Sequence, residues 1–189
     1  MTTPYISIDI ETTGLDPSFC QILEVGAVFE DWKTPVNELP LFNYYVKYPT
    51  VIGEPYALSM PHNVEILRAI ATGKTDVRIL NPYQVVHTLR RWLFQVGYTG
   101  GASFTPAGKN FGSFDLQFLK KLEGWNEHVK LRHRAIDPGM IYWDPTDPTV
   151  PDMLTCMKRA GRAGVVTHTA EEDAREVIRL VRLKYGYPI

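Results

Sequence analysis

The segment YISIDIET (5–12) alternates Ile6, Ile8 and Ile10 with Ser7, Asp9 and Glu11, the period of two of a strand with two chemically different faces. It predicts one core face and one polar face. Asp9 and Glu11 stand at i and i+2, so both side chains leave the same face about 7 Å apart and can share a ligand. Two such acids either meet solvent at a strand end or, if desolvated, require a cation between them or a basic partner.

A chain of 189 residues can bury a core without a disulfide or metal staple, and one α/β domain spanning residues 1–189 is expected. Lys and Arg number 20 against 21 Asp and Glu, so no global positive field gathers polyanions, and any nucleic acid must be gripped locally. Cys20 and Cys156 lack metal-type spacing and fit a reducing compartment. The opening MTTPYISIDIE has no basic region followed by an apolar stretch, and no apolar run reaches the roughly 18 residues of a membrane span, so no membrane partner and a cytoplasmic location are expected.

Turn chemistry at Gly14-Leu15-Asp16-Pro17 predicts a hairpin whose return strand is ILEVGAVF (22–29), with FNYYVKY (42–48) as a third strand. Helical patterns follow at 63–72 and from Asn81-Pro82 to about Val96. YTGGAS (98–103) reads as a loop, FTPAGKN as a short strand, FGSFDLQFLKKLEG as a helix closed by Gly124, and LRHRAID (131–137) as another strand. The Pro-rich 144–151 is an exposed loop, and MLTCMKRAG and TAEEDAREVIRLVRLKY are helices. Strands first and helices interleaved later predict a mixed sheet covered by helices. The aromatics of KYGYPI suit either a homodimer contact or a docked tail.

Two further acids point inward. Asp115 heads the stripe Asp115, Phe118, Leu119, Leu122, the buried face of its helix; the first-turn dipole also favours an acid there. Asp173 interrupts the apolar stripe Ala170, Ala174, Val177, Ile178, Val181. Thr169 and Glu172 form a capping-box pattern, which makes His168 and Asp173 the N′ and N4 residues that pack together at a helix start. Acids aimed inward from three segments, without matching inward Lys or Arg, point to a divalent metal, and all-oxygen ligands suit Mg²⁺ or Mn²⁺ better than zinc.

With these residues in place, the sequence resembles the DEDDh 3′-to-5′ exonucleases. DIETTGLD (9–16), with QILEVGAV behind it, is similar to the first motif of that family, GKNFGSFD (108–115) to the second, and HTAEED (168–173) to the third; HRAID (133–137) is similar to the strand between the last two. The resemblance implies an RNase H-like mixed five-stranded sheet flanked by helices. It implies two divalent metal ions held by Asp9, Glu11, Asp115 and Asp173, with His168 as general base, a task suited to imidazole, the side chain that titrates nearest neutrality. His168 is placed on a mobile pre-helical loop that reaches its working position with substrate bound. The product implied is a nucleoside 5′-monophosphate, released one at a time from a 3′ end.

By the same resemblance, Thr12, Thr13, Gly14 and Leu15 would hold the terminal nucleotide, with Leu15 on its base. Asn110 and Phe111 would contact sugar or base, Phe111 alternatively anchoring its helix in the core. Lys158, Arg159 and Arg162 are candidates for backbone phosphates, against the alternative of solvated or dipole-complementing cations. Single-stranded DNA 3′ ends are the favoured partner, an exoribonuclease or short-oligonucleotide hydrolase the rival within enzymes, and a non-cleaving end-binding subunit the rival outside them.

Overall fold

A computed structural model describes residues 2–75, 77–99, 101–164 and 167–189. Residue 100 of the expected loop 98–103, and residues 165 and 166 of the loop expected before His168, lie outside the described set.

In chain order the elements are β1 (Tyr5–Thr12), β2 (Ile22–Glu30), β3 (Leu41–Val46), α1 (Pro55–Ser59), α2 (Pro61–Thr72), β4 (Ile79–Leu80), α3 (Pro82–Gln95), β5 (Pro106–Ala107), α4 (Asp115–Leu119), α5 (Trp125–His128), α6 (Pro138–Ile141), α7 (Met153–Arg159) and α8 (Ala170–Lys184). The five strands form one mixed sheet in the order β4-β3-β2-β1-β5. The hairpin β1–β2 is antiparallel with Asp9 opposite Gly26 and Glu11 opposite Glu24; β3 continues antiparallel, and β4 and β5 are short parallel edges. This is the expected α/β class.

Both faces of the sheet are buried, which corrects the expectation of a polar second face on β1. Ile6, Ile8 and Ile10 enter a core with Val85, Leu89 and Trp92 of α3 and Phe118 and Leu119 of α4. The opposite face, which carries Tyr5 and Val28, packs against Ala174, Val177, Ile178 and Val181 of α8. Period-two alternation separates the two faces of a strand but does not say what covers each.

Two buried glutamates of β2 hold the two ends of α8. Glu24 accepts from the Ala170 amide at 3.2 Å, and Glu30 receives a bidentate pair of 2.6 Å bonds from Arg182. The spans agree: twelve helical residues rise about 18 Å and six strand residues about 20 Å.

Elsewhere the boundaries shift. α4 begins at Asp115, after turns, and ends four residues later; Gly124, with φ +78°, does follow it and starts α5. LRHRAID is not a strand: it makes two isolated bridges, Phe104–Leu131 and Ala107–Ile136, because residues 132–135 are exposed and Asp137 instead caps α6 through the Gly139 amide. α1 and β4 had no signal beyond Pro55 and an Ile-Leu pair. The C-terminal tail docks on its own chain, with Tyr187 4.7 Å from the Trp32 ring.

Candidate active site

The site forms where the C-terminal half of β1 meets the first turn of α8. Asp9, Glu11 and Asp173, 164 residues apart at the extremes, each place a carboxylate oxygen within 4.8 Å of the others. Three features bring Asp173 there, one local to α8 and two from β2. Thr169 caps the helix, its hydroxyl accepting the Glu172 amide at 3.3 Å, as the capping-box pattern requires. Glu24 anchors the first helical amide from below. Gly26 allows the approach: a Cβ there would stand 2.4 Å from the Ala170 carbonyl carbon.

Asp115 stands outside the 4.8 Å cluster. It is buried at the start of α4 and accepts from the Ile10 amide at 3.1 Å, between the two β1 acids in sequence. Its helical stripe with Phe118, Leu119 and Leu122 is buried as the spacing predicted.

The electrostatics are those of acids crowded without a counter-ion. Asp9 is pushed well above the usual carboxylate range by burial first, then by Asp115, Asp173, Glu11 and Glu24. Burial, followed by Asp173, Glu24 and Asp115, lifts Glu11 to about 8. Asp115 rises to about 7 through burial, opposed by amide hydrogen bonds including that of Ile10. Asp173 rises to about 6 through burial, offset by His168 and by a hydrogen bond from Thr167. Among the described residues no Lys or Arg forms an ion pair with any of the four. Hard oxygen donors that repel one another at this range fit a divalent cation such as Mg²⁺ or Mn²⁺.

His168 is exposed, with φ +54°, and lies near enough to Asp173 to lower its pKa, the proximity predicted from the N′ and N4 positions. The segment after the first acids is tightly braced. The Thr12 hydroxyl donates to the Gly14 carbonyl at 2.7 Å, and buried Thr13 donates to the Ile52 carbonyl and accepts the Gln21 amide. These two side chains are committed internally, so their part in holding a nucleotide would fall to the backbone. Gly14 is shut in by Cys20 and Glu54, the latter receiving the Leu15 amide at 3.1 Å, and the Leu15 side chain is 74% exposed.

The other substrate candidates separate clearly. Asn110 is exposed, its amide on Asp137 and its side chain accepting from Lys109. Phe111 is 1% exposed and packed in the core, which corrects its assignment as a base-stacking residue. Arg159 makes a bidentate ion pair with Asp147 at 2.5 Å, and Arg162 pairs with Glu176 at 2.6 Å, so neither guanidinium is free for phosphate. Lys158 is exposed in the last turn of α7.

Sequence reasoning passed over Glu24, Gly26 and His62. Glu24 is 1% exposed, faces Glu11 across the hairpin, and is 2.7 Å from His62 Nε2. Both β2 signals were readable: an acid inside the apolar run ILEVGAVF, and a glycine within a strand, which often marks close approach of another backbone.

No protein-family model matches the chain, and no curated protein matches it in sequence. Solved structures match its fold. Exonuclease I from Methylocaldum szegediense superposes with a TM-score of 0.63 at 15% identity, over 96% of this chain and 40% of that one. E. coli exonuclease I in complex with a dT13 oligonucleotide gives 0.62 at 14% identity, over 96% and 41%. A zinc-bound E. coli exonuclease I complex with single-stranded DNA gives 0.65 at 14% identity, over 97% and 40%. The chain therefore shares its fold with part of exonuclease I and spans about two fifths of the length of those chains.

Proposed function

We propose that the chain is a DEDDh-type 3′-to-5′ exonuclease that hydrolyses single-stranded DNA from the 3′ end to nucleoside 5′-monophosphates. The observation that carries this reading is the convergence of Asp9, Glu11 and Asp173 within 4.8 Å, without a Lys or Arg partner among the described residues. The shared fold with exonuclease I supports it, since two of those structures are described as DNA complexes.

Asp9, Glu11, Asp115 and Asp173 would hold two Mg²⁺ or Mn²⁺ ions, whose chemistry is to activate water near neutral pH and to stabilise the attacking and leaving oxygens. The chain's own residues do the rest. The exposed His168 takes the proton of the attacking water on an imidazole nitrogen, and the Asp173 carboxylate stabilises the imidazolium that forms. The Ile10 amide fixes the Asp115 carboxylate beside the strand that carries Asp9 and Glu11. The Thr12–Leu15 backbone seats the terminal nucleotide, and exposed Leu15 packs on its base.

The test is a time course with 5′-labelled single-stranded DNA and, separately, RNA of the same sequence, in Mn²⁺ or Mg²⁺ and in EDTA. A ladder shrinking from the 3′ end, faster on DNA, absent in EDTA and abolished in Asp173→Ala, is expected. Label intact on both substrates in metal would set the mechanism aside, and a faster RNA ladder would replace the DNA assignment. His168→Ala should retain metal binding and lose about 10²- to 10⁴-fold in rate, the usual contribution of a general base.

A further inference from the structure

α3 is amphipathic in the usual way on one side, burying Val85, Val86, Leu89, Trp92 and Leu93. Its outer side is unusual. PYQVVHTLRRWLFQ contains no acid, and Tyr83, His87, Arg90, Arg91 and Phe94 share one exposed stripe at i, i+4, i+7, i+8 and i+11, about 16 Å long. Tyr83 is 57% and Phe94 65% exposed. Neither Arg90 nor Arg91 has a hydrogen bond or ion pair among the described residues. A solvated helix face ordinarily mixes both signs, as α8 does with its Glu–Arg pairs.

One end of the stripe, at Tyr83, lies beside the segment that follows the Thr12–Leu15 turn. The stripe lines an open groove of about 590 Å³. Tyr83 also lines a second groove, of about 470 Å³, with a wall formed by Pro17 to Ile22, a segment separated from Leu15 by the exposed Asp16. Phe19 is 48% exposed in that wall, and Lys121 reaches across to the Pro17 carbonyl. Glu123 is the one acid among the described residues lining the two grooves.

We propose that Phe19, Tyr83, His87, Arg90, Arg91 and Phe94 form a track for single-stranded nucleic acid, which carries the strand on the 5′ side of the terminal nucleotide away from the site. The inference rests on the exonuclease reading for its direction. Its chemistry stands on the stripe itself: aromatic faces stack bases without sequence preference, and unpaired guanidiniums meet the phosphates between them. A neutral chain needs such a local grip, because its global field supplies none.

The test uses Arg90→Glu/Arg91→Glu and Tyr83→Ala/Phe94→Ala, all exposed positions. Binding of an oligothymidylate of about 20 nucleotides, longer than one such track, is read by anisotropy in Mn²⁺ on the Asp9→Asn background, where no cleavage interferes. Steady-state hydrolysis of a trinucleotide is read with Asp9 intact. The arginine pair should weaken long-strand binding about tenfold at low salt and flatten the slope of log Kd against log salt by about 1.4, two phosphates' worth. The aromatic pair should weaken it about tenfold with little change of slope. Trinucleotide KM and kcat should stay unchanged in the arginine pair, which lies at least seven residues, about 10 Å, along α3 from Tyr83. Long-strand binding unaltered in both variants, or trinucleotide hydrolysis falling together with long-strand binding in the arginine pair, would overturn the track. Failure of the exonuclease reading would appear separately, as no hydrolysis of either substrate by the unsubstituted chain.

Discussion

Glu24 on β2 accepts the amide of Ala170, the first residue of α8, at 3.2 Å, and so joins the strand hairpin carrying Asp9 and Glu11 to the helix carrying Asp173. His62 from α2, 2.7 Å away on the same carboxylate, fixes its rotamer. The acids of the site thus depend for their spacing on a glutamate that is not one of them.

Removing that carboxylate should leave the Ala170 amide and His62 unpaired in a buried place. Glu24→Ala is expected to cost about 1–3 kcal/mol of stability. It should also raise the Mn²⁺ concentration for half-maximal activity by about tenfold or more, as loss of outer-shell support does. Glu24→Gln keeps an acceptor for the amide and should recover most of both. Thermal melts and metal titrations of the two variants decide this, and equal metal requirements in all three proteins would refute it.

Gly26 tests the same seating by sterics. The Cβ of Gly26→Ala would meet the Ala170 carbonyl oxygen at 2.5 Å and must push α8 off the sheet. A loss of about 1–3 kcal/mol is expected. Activity per folded molecule should fall at least about 100-fold, because small displacements of reacting groups are costly. Wild-type turnover in a folded Gly26→Ala protein would show that the helix need not sit so close.

The raised carboxylates set the sign of the pH dependence without metal. Folded pKa values of about 8, 7 and 6 for Glu11, Asp115 and Asp173 lie above those of the unfolded chain. Their protonated forms therefore favour the fold below about pH 4, and that contribution is lost as pH climbs through about 6 to 8. In EDTA the Tm should fall from pH 5 to pH 8.5; Mn²⁺ should restore it at the higher pH, where the acids are free to bind. Glu11→Gln should raise the metal-free Tm at pH 8.5 by about 2–4 °C per kcal/mol of relieved repulsion, with little effect at pH 5. A metal-free Tm rising with pH would contradict the assignment.

The far end of α8 supplies the contrast. Arg182 and Glu30 are 1% and 0% exposed, so truncating one partner strands a buried charge. Glu30→Ala should cost about 3–5 kcal/mol by denaturant titration. The metal requirement per folded molecule should stay unchanged, because Asp173 lies near the other end. A shifted metal requirement would mean that the helix moves as one rod.

Local signals in the chain specified the elements of the site well. The two-period of YISIDIET, the N-cap at Thr169 and the Asp115 stripe all appear in the structure because each depends on neighbours within a few residues, whereas the Glu172 side chain pairs with Arg179 and does not close the capping box. The placement of His168 beside Asp173 is of the same kind, being set by one helical turn. Tertiary packing decided what such patterns cannot encode. It chose α8 as the cover for the acid face of β1, brought Asp173 across 164 residues to Asp9, and buried Phe111 instead of presenting it. It also committed Arg159 and Arg162 to Asp147 and Glu176, acids whose nearness no short-range spacing announces. Periodicity states which side chains share a face; which surface meets that face, and which charge finds which partner, follow from contacts between segments distant in the chain.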